Sequence, residues 1–105
     1  MKFLIQWHPF SESSRVLLAP QFPAWPHVEE ALEWSLSRKP YRYDRIYHSS
    51  VRVWGYGPIQ HQNGEWLDVE VNFEIRKGGG VVDIIAIRMV ETTEGPINYL
   101  FPNKD

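Results

Sequence analysis

The sequence predicts an α+β fold: a small, antiparallel-rich sheet in the order β-α-α-β-β-β, with the helices packed on one face. Three observations lead there. Residues 66–76 alternate, with Leu67, Val69, Val71, Phe73 and Ile75 on one side of an extended chain and Asp68, Glu70, Asn72, Glu74 and Arg76 on the other. Lys77-Gly78-Gly79-Gly80 then offers a cheap reversal, because glycine tolerates positive φ, and the second arm, Val81 to Val90, is apolar at nearly every position except Asp83 and Arg88. Upstream, Val28, Ala31, Leu32, Ser35 and Leu36 form one helical stripe that suits the dry face of this hairpin.

The remaining elements follow in chain order. Lys2–His8 reads as a first strand, in which Phe3, Ile5 and Trp7 alternate with Leu4, Gln6 and His8, and Pro9 stops the ladder. Ser11 suits an N-cap, predicting a short helix over about Glu12–Ala19 with Val16, Leu17 and Leu18 near the core. Pro20–Pro26 is a connector. Pro26 fits a first helical position, and a second helix is expected over His27–Lys39, with Glu29, Glu30 and Glu33 early and Arg38 and Lys39 late, as the helix dipole favours. Arg45–Tyr56 reads as a strand, and Gly57-Pro58 with Gln60–Glu65 as the turn back into Trp66. The nearly unbroken apolar run of the last strand suggests cover on both faces. Beyond it, Ile97–Phe101 is apolar enough to dock, and Pro102–Asp105 reads as a frayed end.

A chain of 105 residues with 43% hydrophobic and 23% charged residues is expected to form one domain, residues 1–105. It has no cysteine, which excludes a disulfide scaffold or thiolate metal site and fits a reducing cytoplasm. No signal-peptide pattern opens the chain and no stretch approaches 18 consecutive apolar residues, so no membrane partner is expected. The net charge of −2 argues against a polycation that coats nucleic acid. The charge is uneven, however. Arg38, Lys39, Arg42, Arg45 and Arg52 meet one acid, Asp44, giving +4 over residues 38–52 and leaving −6 elsewhere.

That segment interleaves its cations with Tyr41, Tyr43, Tyr47 and His48. Arginine for phosphate and aromatics for unstacked bases is the mixture RNA recognition uses. A helix C-terminus with solvated charges and half-buried tyrosines has the same composition, so both readings stand. Asp68, Glu70 and Glu74 share a face; a solvated surface or a site for a basic partner accounts for them better than a metal site. The histidines at 8, 27, 48 and 61 show no ligand spacing, so no metal or other cofactor is expected. The glycine run lacks a following Lys-Ser/Thr and reads as a turn, not a phosphate loop.

The K-F-L-I-Q-W-H-P opening, the A-L-E-W-S-L-S-R-K-P helix and the V-E-V-N-F-E-I … V-V-D-I-I-A-I-R hairpin together resemble the RelE/ParE toxin superfamily over roughly residues 2–90. The resemblance implies a single RelE/ParE-like domain acting as the toxin of a bacterial toxin–antitoxin pair. Its partners would be an antitoxin protein and either the ribosome and mRNA or gyrase. For an mRNA endoribonuclease without a metal, it implies Arg88 at the end of the last strand and Tyr99 as a terminal aromatic. Arg45 and Arg52 would bind and polarise phosphate, and His48 would exchange the proton. Arg38, Lys39, Arg42 and Arg45, with Tyr41, Tyr43 and Tyr47, would hold RNA or a partner. The chain departs from that pattern at Asp68 and Glu70, which stand where nuclease members place an arginine, and an acidic face repels RNA phosphates. A non-catalytic binding module on the same fold is therefore the alternative, whether a gyrase-directed relative, an inactive descendant or an interaction protein.

Overall fold

A computed structural model describes residues 2–92. It contains strand β1 (Leu4–Trp7), helix α1 (Pro9–Leu18), helix α2 (Trp25–Arg38), and strands β2 (Arg52–Gln60), β3 (Trp66–Ile75) and β4 (Val81–Glu91). Short 3₁₀ turns cover Ala19–Gln21 and Pro40–Arg42. The fold is α+β. One four-stranded mixed sheet has the order β1-β4-β3-β2; β2, β3 and β4 form an antiparallel meander, and β1 lies parallel to β4. The docking expected of Ile97–Phe101 and the end expected at Pro102–Asp105 lie outside the described residues.

The alternation of β3 becomes burial. Val69, Val71 and Phe73 are fully buried, in one cluster with Val28, Leu32 and Leu36 of α2, Val82, Ile84 and Ile87 of β4, and Trp54 and Ile59 of β2. Ile5 and Trp7 of β1 add to the same side, opposite Val82 and Ile84. Leu18 of α1 packs there too, so the helices share one face of the sheet and the other face is open.

Four expectations are corrected. First, α1 starts earlier than Glu12: Pro9 occupies its first turn rather than merely ending β1, and His8 is the N-cap. Ser11 is instead fully buried, its hydroxyl within reach of the carbonyls of His8 at 2.8 Å and Ile84 at 2.7 Å, so it ties α1 to β4. With the helix phased this way, Val16 and Leu17 point outward, and only Leu18 of that trio meets the core.

Second, the strand expected at Arg45–Tyr56 begins at Arg52. Arg45 forms an isolated antiparallel bridge to Arg52, and the chain between them is a tight loop. Ile46 N–H donates to the Val51 carbonyl at 2.7 Å, Ser49 N–H donates to Ile46 at 2.9 Å, and His48 takes a positive φ of 57°. Third, Gly57-Pro58 lies inside β2 instead of ending it. The strand bulges between Tyr56 and Ile59, Gly57-Pro58 is a cis bond, and proline is tolerated because β2 is a sheet edge. The turn back is His61–Glu65, closed by the His61 N–H on the Glu65 carbonyl at 2.7 Å.

Fourth, β4 is central but covered on one face. Asn72 pairs with Ala86 and Phe73 with Ile84, so Ile85 is an extra residue that shifts the parity of the strand. Val82 and Ile84 before the bulge, and Ile87 and Met89 after it, therefore share the core side. The parity shift, not two-sided cover, produces the unbroken apolar run.

Gly57 is held at φ +140°, and a Cβ there would sit 3.1 Å from the Asp68 Cα and 2.9 Å from its Oδ1. Backbone cannot yield as a side-chain tip can. Gly57→Ala should therefore lower stability by about 2 kcal/mol or more, read as a lower midpoint in urea unfolding; Gly78→Ala is the reference, for positive φ with open space around its Cβ.

Candidate functional site

The fold sorts the candidate residues into three places. The first is the open sheet face. β3 and β4 present Glu70 and Arg88 directly opposite each other, and the Arg88 Nε donates to Glu70 Oε1 at 2.5 Å. Further along, the Arg76 guanidinium donates to both carboxylate oxygens of Asp83, at 2.7 and 3.1 Å, and to the Gln6 amide oxygen at 3.1 Å. Ser50 donates to Glu74. This face is therefore a lattice of local ion pairs and hydrogen bonds. Arg76 and Arg88 engage different acids, and the six-position offset from Glu70 to Arg76 corresponds to about 20 Å of strand rise. They form no joint site.

Asp68 is the exception in the lattice. Burial pushes its carboxyl above the usual range, and its Oδ1 has no hydrogen-bond partner among the described residues. It lies against the Gly57 backbone.

The second place is the junction below α2. Arg52 lies opposite Phe73, on the buried side of the sheet, three β3 residues from Glu70 and so on the opposite face from Arg88. Its guanidinium donates to the Tyr43 carbonyl at 2.6 Å and the Tyr41 carbonyl at 3.3 Å, and stacks 5.4 Å from the centre of the Tyr41 ring. Arg52 thus pins the Pro40–Arg42 turn to β2. Tyr43 contributes to the same job, its ring edge-on to Phe73 at 6.3 Å. Both residues, expected to meet RNA, are half-buried and engaged in holding this junction.

The third place is the exposed rim of residues 38–48. Arg38 lies 4.7 Å over the Trp34 ring. Among the described residues, the side chains of Lys39, Arg42 and Arg45 make no ion pair or hydrogen bond. Tyr41 is 61% and Tyr47 85% exposed, and Tyr47 packs against His48 with ring centres 3.9 Å apart. His48 stands in the 46–51 loop, whose Ser50 reaches Glu74. Tyr99 lies outside the described residues. Of the four catalytic candidates, three are described: Arg88 and Arg52 lie on opposite faces of the sheet, and no hydrogen bond joins His48 to either.

Two arrangements have weaker sequence signals. Glu29 of α2 accepts from Arg15 Nε at 2.7 Å, Arg15 Nη2 at 2.8 Å and the Trp25 indole at 2.7 Å. The Arg15 hydrogen bond holds the Glu29 carboxyl below the ordinary range, against the opposing effect of burial. This bidentate pair clamps α1 to α2. Trp34, in turn, lies on the side of α2 away from the Val28–Leu32–Leu36 stripe and is 59% exposed. A large aromatic off the stripe was the available signal for a surface on that side.

No known family model, curated protein or solved structure matches the chain.

Two outcomes test the assignment. Arg52→Ala should lower stability by about 1–2 kcal/mol, because the half-buried Tyr43 carbonyl loses a charged donor, whereas Arg88→Ala, removing an exposed pair, should change it by less than about 1 kcal/mol; thermal unfolding of both variants reads this. The folded pKa of Glu29 is depressed, so its stabilising contribution is complete above its unfolded value and lost as pH falls through the folded one. Acid unfolding should show that loss below about pH 4.3, and Glu29→Gln should flatten that limb of the curve.

Proposed function

We propose that the chain is a non-catalytic binding module whose 38–48 rim engages single-stranded RNA. The observation that carries this reading is the division of its cations. Arg52 is committed to two backbone carbonyls, and Arg76 and Arg88 are committed to carboxylates. Lys39, Arg42 and Arg45 are exposed beside two exposed tyrosines. Phosphate neutralisation by cations and base stacking on aromatic rings are the two terms that bind single strands without demanding a sequence. Chemistry on a phosphate needs more: a proton acceptor, a proton donor and cations converging within a few ångströms. His48 stands on a loop tip with a tyrosine as its ring neighbour, and among the described residues no hydrogen bond or ion pair joins it to Arg52 or Arg88.

The toxin reading keeps one favouring observation, the element order with an open sheet face opposite the helices. It would make the same chain act on ribosome-bound mRNA or on gyrase, under control of an antitoxin.

Fluorescence anisotropy with a labelled 12-nucleotide RNA separates these readings. Binding is expected, with log K falling against log salt at a slope near −2 for about three phosphates. Arg42→Ala and Arg45→Ala should each reduce that slope by about 0.7, and Tyr47→Ala should weaken binding by about 1–3 kcal/mol. The RNA should remain intact. Cleavage that disappears in Arg88→Ala would restore the endonuclease reading, and salt-independent binding or none would end the RNA reading. Growth arrest on induction in a bacterial host, scored beside mRNA integrity, tests the toxin reading separately.

A further inference from the structure

Strand β2 is the outer strand of the sheet, and part of its free edge is already used. The Val53 N–H points away from β3 and donates to the Asp44 carbonyl at 3.0 Å, while the Val51 carbonyl accepts from Ile46 at 2.7 Å. An extended segment of this chain, Asp44–Ile46, therefore sits on the edge as a short added strand. Backbone groups point to the same side at every second residue. The Gly55 N–H and carbonyl thus face outward in line with Val53, and among the described residues no strand continues along them.

Beside this free edge lies a groove between β2 and the outer side of α2. It consists of two adjoining depressions of about 540 and 400 Å³, which share His27 and Tyr56. Pro58 and Trp66 wall one end, and Trp34 the other. Tyr56 is on the helix side of the sheet, opposite Val69. A strand added at Gly55 would drop every second side chain into the groove. Its other side chains would pass over Gly55, which offers no side chain to obstruct them. Glu30 is the one carboxylate lining the groove, and among the described residues its side chain makes no ion pair or hydrogen bond. Among the described residues no Lys or Arg lines either depression.

We propose that this edge groove binds an extended peptide segment of a partner protein, apolar in its alternate positions and carrying one Lys or Arg that pairs with Glu30. Backbone hydrogen bonds to Gly55 supply affinity, and the aromatic walls and Glu30 supply selection, as in other strand-addition complexes. The site is separate from the 38–48 rim and stands whether or not that rim binds RNA.

Panning a displayed random heptapeptide library on the folded chain, followed by synthesis of the enriched peptide, tests it. The enriched sequences should alternate apolar residues and hold one basic residue. Trp66→Ala should weaken the synthetic peptide at least tenfold, and Glu30→Lys should weaken it similarly and, in a second panning, exchange the basic residue for an acidic one. Amide chemical shifts of Gly55 and Tyr56 should move on titration, and RNA anisotropy should be unchanged in both variants. Failure to enrich any peptide, enrichment indifferent to Glu30→Lys, or shifts confined to α1 or the open sheet face would overturn the proposal. Circular dichroism confirms that each variant is folded before it is scored.

Discussion

Val69, Val71 and Phe73 are enclosed between the sheet and α2, and the remaining geometry hangs on their burial. Each such side chain contributes about 1.5–3 kcal/mol when removed from water. Their spacing of two residues fixes which side of β3 faces α2, since a one-residue slip would expose all three and bury Asp68, Glu70 and Asn72. That constraint sets the register of both neighbours. β4 meets it with the bulge at Ile85, which keeps Val82, Ile84 and Ile87 on the core side. β2 meets it with Trp54 and Ile59, across the irregularity at Gly57-Pro58.

The same constraint explains why the acidic residues of β3 are quiet. Once the core side is fixed, Glu70 and Glu74 must face outward, and the strand partners that face them decide their chemistry. Arg88 arrives opposite Glu70 only because the bulge has shifted β4 by one residue. The arginine that suggested catalysis is thereby paired with the acid that argued against it. Both sequence features were real, and their meeting across strands removes them from any free phosphate site. On the rim after α2, where no β partner reaches, Lys39, Arg42 and Arg45 stay exposed and unpaired among the described residues.

The clamp from Arg15 to Glu29 and Trp25, and the anchor from Arg52 to the Tyr41 and Tyr43 carbonyls, hold the helical layer at its two ends. The outer side of α2 therefore stands at a fixed offset from β2. The groove under Trp34 and Trp66 is a product of that offset, since neither tryptophan is needed to fill the core. RNA on the rim and a peptide on the edge would be held by separate residues of one rigid layer.

The sequence by itself determined the periodic features: the two-residue alternation of β3, the stripe of α2, the glycine reversal and the order of elements. These depend on neighbours along the chain, and burial acts on them uniformly. It also marked residues 38–52 as the cationic, aromatic segment, because composition survives folding. Only the tertiary structure decided what depends on pairing between distant residues. It placed β1 beside β4, shifted parity at Ile85, kept Gly57-Pro58 within an edge strand, and turned 46–51 into a loop. It also separated Arg52 from Arg88 by placing them on opposite faces of one sheet. A single chain carries no mark of which charge will stand across from which, because that is set by register, and register is set by the core.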